Sequence, residues 1–199
     1  MNYPSERPAL LIIDVQQGLD QLAYWGGNRN NPGAEANIGR LLDRWRALGL
    51  PVFHVRHDSV NPNSPLYPGK PGNEIKEVVK PMANESVITK SVNSAFIGTD
   101  LEQQLRSAGI RQLVMTGLVT DHCVTTTARM AGNLGFEVFV VEDGTATFDR
   151  TGPDGETHPA ARVHAIHLAS LHGEFARIVR TEEVLTPLNE PLFAPRARE

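Results

Sequence analysis

Leu113-Val-Met-Thr-Gly-Leu-Val-Thr-Asp-His-Cys-Val124 is the stretch from which the fold follows. An apolar run ends in a small-and-polar turn, and the chain's single cysteine comes next. Downstream, Val124, Ala128, Ala131 and Leu134 keep a helical spacing up to Gly135, so a strand feeds a helix with Cys123 at the joint. Free backbone N–H groups and the positive end of the helix dipole favour a thiolate there. Cysteine is also among the most buried residue types, so packing is the bland alternative. The strand-to-helix position, with Asp121 and His122 just before it, favours function.

Outward from this joint the same alternation recurs. Ala9 to Val15 is continuously apolar apart from Asp14, as expected of a central parallel strand covered on both faces. Gln16 to Asn31 is rich in glycine and asparagine and reads as an irregular loop. A helix opens at Pro32, carries Ile38, Leu41, Leu42, Trp45 and Leu48 on one face, and closes at Gly49. Strands follow at Pro51 to Arg56, Ser86 to Lys90, Arg111 to Gly117, Glu137 to Val141 and Ala176 to Arg180. Thr99-Asp-Leu-Glu102 has the pattern of a capping box for a helix stopped by Gly109. Thr157 can cap a helix with Pro159 as its second residue, running to about His172. The connection from His57 to Glu85 is long enough to suggest a role near a site. Alternating strands and helices predict an α/β fold with helices on both faces of a parallel sheet. One domain is expected over residues 1–199, with about 182–199 a loosely packed tail.

Composition narrows the partners. The formal net charge of -4 comes from 19 basic and 23 acidic residues spread along the chain. No basic block tracks a phosphate backbone, so neither nucleic acid nor an anionic membrane is expected as a partner. One cysteine cannot make an internal disulfide, Met1 to Pro8 lacks a signal-peptide core, and no apolar run approaches a membrane span. These features predict a soluble, cytoplasmic protein.

In parallel α/β sheets ligands bind beyond the carboxyl ends of the strands. Asp14, Lys90 and Cys123 all fall there. Lys90 would lower the thiol pKa by its charge, Asp14 would take the thiol proton, and the thiolate would attack a carbonyl carbon. Backbone N–H groups at the head of the Cys123 helix could hold the oxyanion. Asp14 could instead serve a turn and Lys90 the solvent; their common location is what carries weight. Strands two apart in a sheet lie about 9.5 Å from each other, so Lys90 must reach inward.

The stretches Leu11-Ile-Ile-Asp-Val-Gln16, Ile88-Thr-Lys90, Ser94-Ala-Phe-Ile-Gly-Thr99, Thr116 to Val124 and Val140-Val-Glu-Asp-Gly-Thr-Ala146 together resemble the isochorismatase-like cysteine hydrolase family. That family includes nicotinamidases, N-carbamoyl amide hydrolases, ureidoacrylate and biuret hydrolases and isochorismatase itself. The resemblance implies a three-layer α/β/α fold with a six-stranded parallel sheet of order 3-2-1-4-5-6 and a catalytic triad of Asp14, Lys90 and Cys123. It also implies a cis peptide between Leu118 and Val119, which turns the Val119 N–H toward the oxyanion beside that of Cys123. Family members are usually dimers or larger, so a homo-oligomer is expected.

The implied activity is hydrolysis of a C–N bond in a small amide, carbamoyl or ureido compound through a thioester acyl-enzyme. Isochorismatase-type ether hydrolysis without the thiol, or a non-catalytic binding protein on the same fold, are the alternatives. Nicotinamidases carry an Asp-x-His pair and a second His that bind a metal. Here His54-Val-Arg-His57-Asp58 stands instead, and strand residues three apart face opposite sides, so neither a metal nor another cofactor is expected. His164 and His167 read as surface histidines. Gln16, Tyr24, Trp25, Phe96 and Phe148 are candidates to border the substrate, with packing the equal alternative for the aromatics.

Overall fold

The computed structural model describes residues 7–186. Six strands form one parallel sheet: β1 (Ala9–Ile13), β2 (Val52–His57), β3 (Ser86–Lys90), β4 (Gln112–Leu118), β5 (Glu137–Ala146) and, late in the chain, β8 (Arg177–Val179). Their order is β3-β2-β1-β4-β5-β8, every neighbour parallel. The predicted order is therefore correct; the two short strands β6 (Arg150–Thr151) and β7 (Thr157–His158) pair only with each other and shift the numbering.

The residues of β1 show how the sequence builds two cores. All five are buried, as two covered faces require. Because successive side chains point to opposite faces, Ala9, Leu11 and Ile13 enter one core and Leu10 and Ile12 the other. The first core packs against α3 (Leu101–Ser107), α4 (Thr125–Asn133) and α5 (Ala160–Leu171). On the other face lies α2 (Ala34–Ala47), through Ile38, Leu41, Leu42 and Trp45. A single turn, α1 (Leu22–Trp25), interrupts the loop after β1.

Several expected boundaries move, each for a local reason. Thr99 does not make a capping box: its hydroxyl donates to the Ala95 carbonyl at 2.5 Å, and α3 begins two residues later with Asp100 at its cap position and no side-chain cap bond. Thr157 lies in β7, not at a helix cap. Pro159 occupies the cap position of α5, and the distant Asp149 accepts the Ala160 N–H at 2.8 Å. Strand β5 runs to Ala146 rather than Val141, because Asn31 Nδ2 donates to the Glu142 and Thr145 carbonyls across an irregularity in the β4 pairing. The segment after residue 181 is not all loose. Thr181–Leu185 forms the short helix α6, with Thr181 buried and Val184 and Leu185 packed on the second core. The rest of the expected tail lies outside the described residues.

Gly117 fixes the closest approach of β1 and β4. Its φ is +126°, and an added Cβ would overlap the Ile13 carbonyl oxygen while sitting 2.7 Å from the Ile13 carbonyl carbon and nitrogen. Since Ile13 pairs directly with Gly117, neither strand can yield without disturbing Asp14 next door. Gly117→Ala should destabilise the fold by roughly 3 kcal/mol or more, read as a lowered urea midpoint with an unchanged slope. Among the described residues, no helix is long and apolar enough to cross a membrane.

Candidate active site

Four neighbouring strands deliver side chains to one end of the sheet. Asp14 follows β1, with a positive φ of 53° that is uncommon outside glycine and turns the chain sharply at the strand end. Its N–H stays tied to the Val55 carbonyl at 2.9 Å. Lys90 is the last residue of β3 and His57 the last of β2, in register with it. Cys123 sits in a wide turn, Thr120–Val124, closed by Val124 N–H donating to Val119 O at 3.3 Å. That five-residue spacing is a π-turn, a form that recurs at functional sites. The Leu118–Val119 peptide bond just before it is cis.

The lysine closes the distance that sheet geometry opens. Its side chain is wholly buried, and Nζ lies 2.7 Å from Asp14 Oδ2, 2.9 Å from His57 Nδ1 and 3.3 Å from Cys123 Sγ. Asp14 Oδ1 is buried without a hydrogen-bond partner, and a carboxylate oxygen of Asp14 lies within 4.8 Å of Cys123 Sγ. Cys123 is 8% exposed, and its sulfur lies 3.9 Å from Asn93 Oδ1. Asn93 is exposed in the loop after β3, and nothing in its sequence context signals this placement.

Electrostatics at the thiol differ from the expectation. Burial, then the Asp14 charge, push the Cys123 pKa up, and the Lys90 charge offsets only part of this. The resting site is therefore a neutral thiol beside an Asp14–Lys90 ion pair. Burial works against the Lys90 ammonium, but the Asp14 charge, with the hydrogen bonds that the ammonium donates to Asp14 and the sulfur, raises its pKa. At His57, burial and then the Lys90 charge lower the pKa, so the ring is neutral at neutral pH.

The remaining candidates fall in different places. Gln16 is fully buried and is a strut: Oε1 accepts the His57 N–H at 2.9 Å, and Nε2 donates to the carbonyls of His57 at 3.1 Å and Asn73 at 2.8 Å. Both ends of its amide are taken, so it is not a substrate contact. Phe148 is likewise a core residue, fully buried with Leu118, Val119 and Ala146. Phe96 stacks on Phe136 at 5.9 Å against the first core. Trp25 stacks on Phe148 at 6.2 Å and donates to the Gly18 carbonyl, while Tyr24 is exposed at its edge. His164 is not on the surface. It is buried, with Nδ1 2.9 Å from the Thr120 hydroxyl, so α5 holds the turn that carries Cys123. His167 is half-buried over the Val163 carbonyl at 2.8 Å. Asp121 serves structure too, accepting from Thr147 and from Arg150 Nε at 2.6 Å.

His54 faces away from the site and bonds Glu85 at 2.8 Å. His57, by contrast, joins Asp14 and Cys123, and the ligand-type atoms of the three lie within 4.8 Å of one another. A cation does not fit among them, because the Lys90 ammonium already contacts all three groups and would face it at bonding distance.

The isochorismatase domain model matches residues 8–183. The chain belongs to the isochorismatase family of hydrolases. An uncharacterized family protein of Bacillus subtilis, YrdC, is 46% identical over 180 residues, covering 90% of this chain and 95% of YrdC. A solved isochorismatase-family structure from Chromobacterium violaceum superposes with a TM-score of 0.88 at 49% identity, over 93% of this chain and 95% of that one. The N-carbamoylsarcosine amidase of Thermoplasma acidophilum superposes with a TM-score of 0.69 at 25% identity, over 88% of this chain and 97% of that one.

Proposed function

We propose that the protein is a metal-independent cysteine hydrolase that cleaves a C–N bond in a small amide, carbamoyl or ureido compound. The observation that carries this reading is the buried contact of Lys90 with both Asp14 and Cys123, beside an unpaired Asp14 oxygen. Likeness to an amidase of the same fold supports the choice of bond.

The chemistry follows from the charges. A thiol with a raised pKa is a poor nucleophile until its proton has somewhere to go. Asp14 Oδ1 takes that proton as sulfur bonds to the substrate carbonyl carbon, and Lys90 steadies the negative charge moving onto the cluster. The oxygen of the tetrahedral adduct is held by the backbone N–H groups of Val119 and Cys123. Asp14 then returns the proton to the leaving nitrogen, the C–N bond breaks, and a thioester remains. Water attacks the thioester, gives a proton to Asp14, and the C–S bond breaks; the proton returns to sulfur.

A panel of primary amides, N-carbamoyl amino acids and ureido acids should therefore release amine or ammonia, at a rate unchanged by a chelator. Turnover that a chelator abolishes and added metal restores would count against it, as would ether cleavage with no action on any C–N bond.

A further inference from the structure

We propose that His57 is a positioning residue: through the lone pair on Nδ1 it takes one N–H of the Lys90 ammonium, and so fixes the lysine that orders Asp14 and Cys123. This rests on the C–N hydrolase reading above and adds a residue to it. An ammonium has three donors and no acceptor. Those of Lys90 meet Asp14 Oδ2, His57 Nδ1 and Cys123 Sγ at 2.7, 2.9 and 3.3 Å, so none is left over for a substrate. Lys90 acts as a hub inside the protein, and the hub has three spokes.

The third spoke is built to stay in place. The backbone of His57 is held on both sides, its N–H by Gln16 Oε1 and its carbonyl by Gln16 Nε2 and Asn73 Nδ2. Gln16 and Asn73 are themselves buried, so this bracing is shielded from water. The ring has one workable tautomer. A proton on Nδ1 would point at an ammonium 2.9 Å away, so Nδ1 carries the lone pair and Nε2 the hydrogen, with the Val92 carbonyl available to the ring. Other charges facing the ring are Asp14 after β1, Asp58 on its own strand end and Lys90 on β3. Protonation of His57 at acid pH would turn the Nδ1 acceptor into a donor and break the hub. Without that acceptor the lysine can swing, and Asp14 Oδ2 is no longer held while Oδ1 serves the thiol.

Two substitutions separate the acceptor from the bulk. Asparagine can place its amide oxygen near the Nδ1 position, whereas leucine fills the space with no acceptor. In His57→Leu turnover of the best substrate from the panel should fall about 10- to 100-fold, mostly in kcat. His57→Asn should recover to within about tenfold of wild type and lose the part of the acid limb due to His57. Two NMR readouts need no substrate. Imidazole ¹⁵N shifts should show the Nε2–H form persisting below the ordinary histidine range, and the Lys90 ammonium resonance should be protected in wild type and His57→Asn but lost in His57→Leu. Thermal melts check that each variant is folded. An Nδ1–H tautomer, or a His57→Leu protein with the wild-type Lys90 signal and rate, would overturn the proposal. Cys123→Ala and Asp14→Asn separate the two levels: if both keep turnover the hydrolase reading fails, and if both lose it while His57→Leu is normal only the role of His57 fails.

Discussion

Cys123→Ala should abolish C–N hydrolysis, by about a thousandfold or more, while the protein folds and melts within about 1 kcal/mol of wild type. The size of the loss follows from the site. Sulfur is the atom that bonds to carbon in the proposed mechanism, and alanine offers nothing to replace it. The small structural cost also follows, because removing a neutral thiol strands no charge: Lys90 keeps Asp14 and His57 as partners. Steady-state kinetics with a urea melt of the same sample tests both halves. Ether hydrolysis independent of the thiol would survive this substitution.

Lys90→Met is expected to be costlier to the fold. Asp14 is 2% exposed, and with Lys90 gone its carboxylate would be buried with no cation beside it. Breaking a buried pair from one side typically costs about 3 to 5 kcal/mol. Turnover should be lost as well, since no cation then steadies the negative charge that moves onto the cluster as sulfur attacks. The double variant Asp14→Asn with Lys90→Met removes both charges and should regain most of the stability without regaining activity. A ΔΔG for Lys90→Met below about 1 kcal/mol would mean that the pair is solvated and the cluster is not the closed site described above.

The sheet was legible because its signals are local. Each strand is a short apolar run, each crossover helix has its own apolar face, and the strand ends that carry Asp14 and Lys90 could be marked on the chain before any contact was known. The three-residue cluster was legible for the same reason, since residues at carboxyl ends of parallel strands share one edge. What the sequence hid was register and burial. His57 contacts Lys90 because β2 and β3 end opposite each other, and a sequence read along one strand does not show its neighbour. Gln16 has the look of a site residue by its nearness to Asp14, yet it braces a strand end 41 positions away. Asn93 reaches the sulfur from a loop whose path depends on Thr127 and the backbone around Ala95. The aromatic residues misled because Phe148 looks the same whether it lines a pocket or fills a core.

The raised thiol pKa is hidden in the sequence for a related reason. The helix start and the lysine are visible in sequence and both lower it. The burial of the sulfur and its approach to Asp14 exist only in the folded chain, and together they dominate. Burial of the sulfur sharpens the proposed role of Asp14: a thiol that keeps its proton at rest needs a base at the moment of attack, and in the proposed mechanism the unpaired Oδ1 is that base.

In the proposed mechanism sulfur bonds to the carbonyl carbon of a C–N substrate. Intact-protein mass spectrometry of a reaction quenched in acid during turnover tests it most directly. The expected result is an adduct of the acyl mass that maps to the peptide containing Cys123, decays on chase, and is absent from Cys123→Ala. Full turnover by Cys123→Ala with no adduct on either protein would contradict the claim.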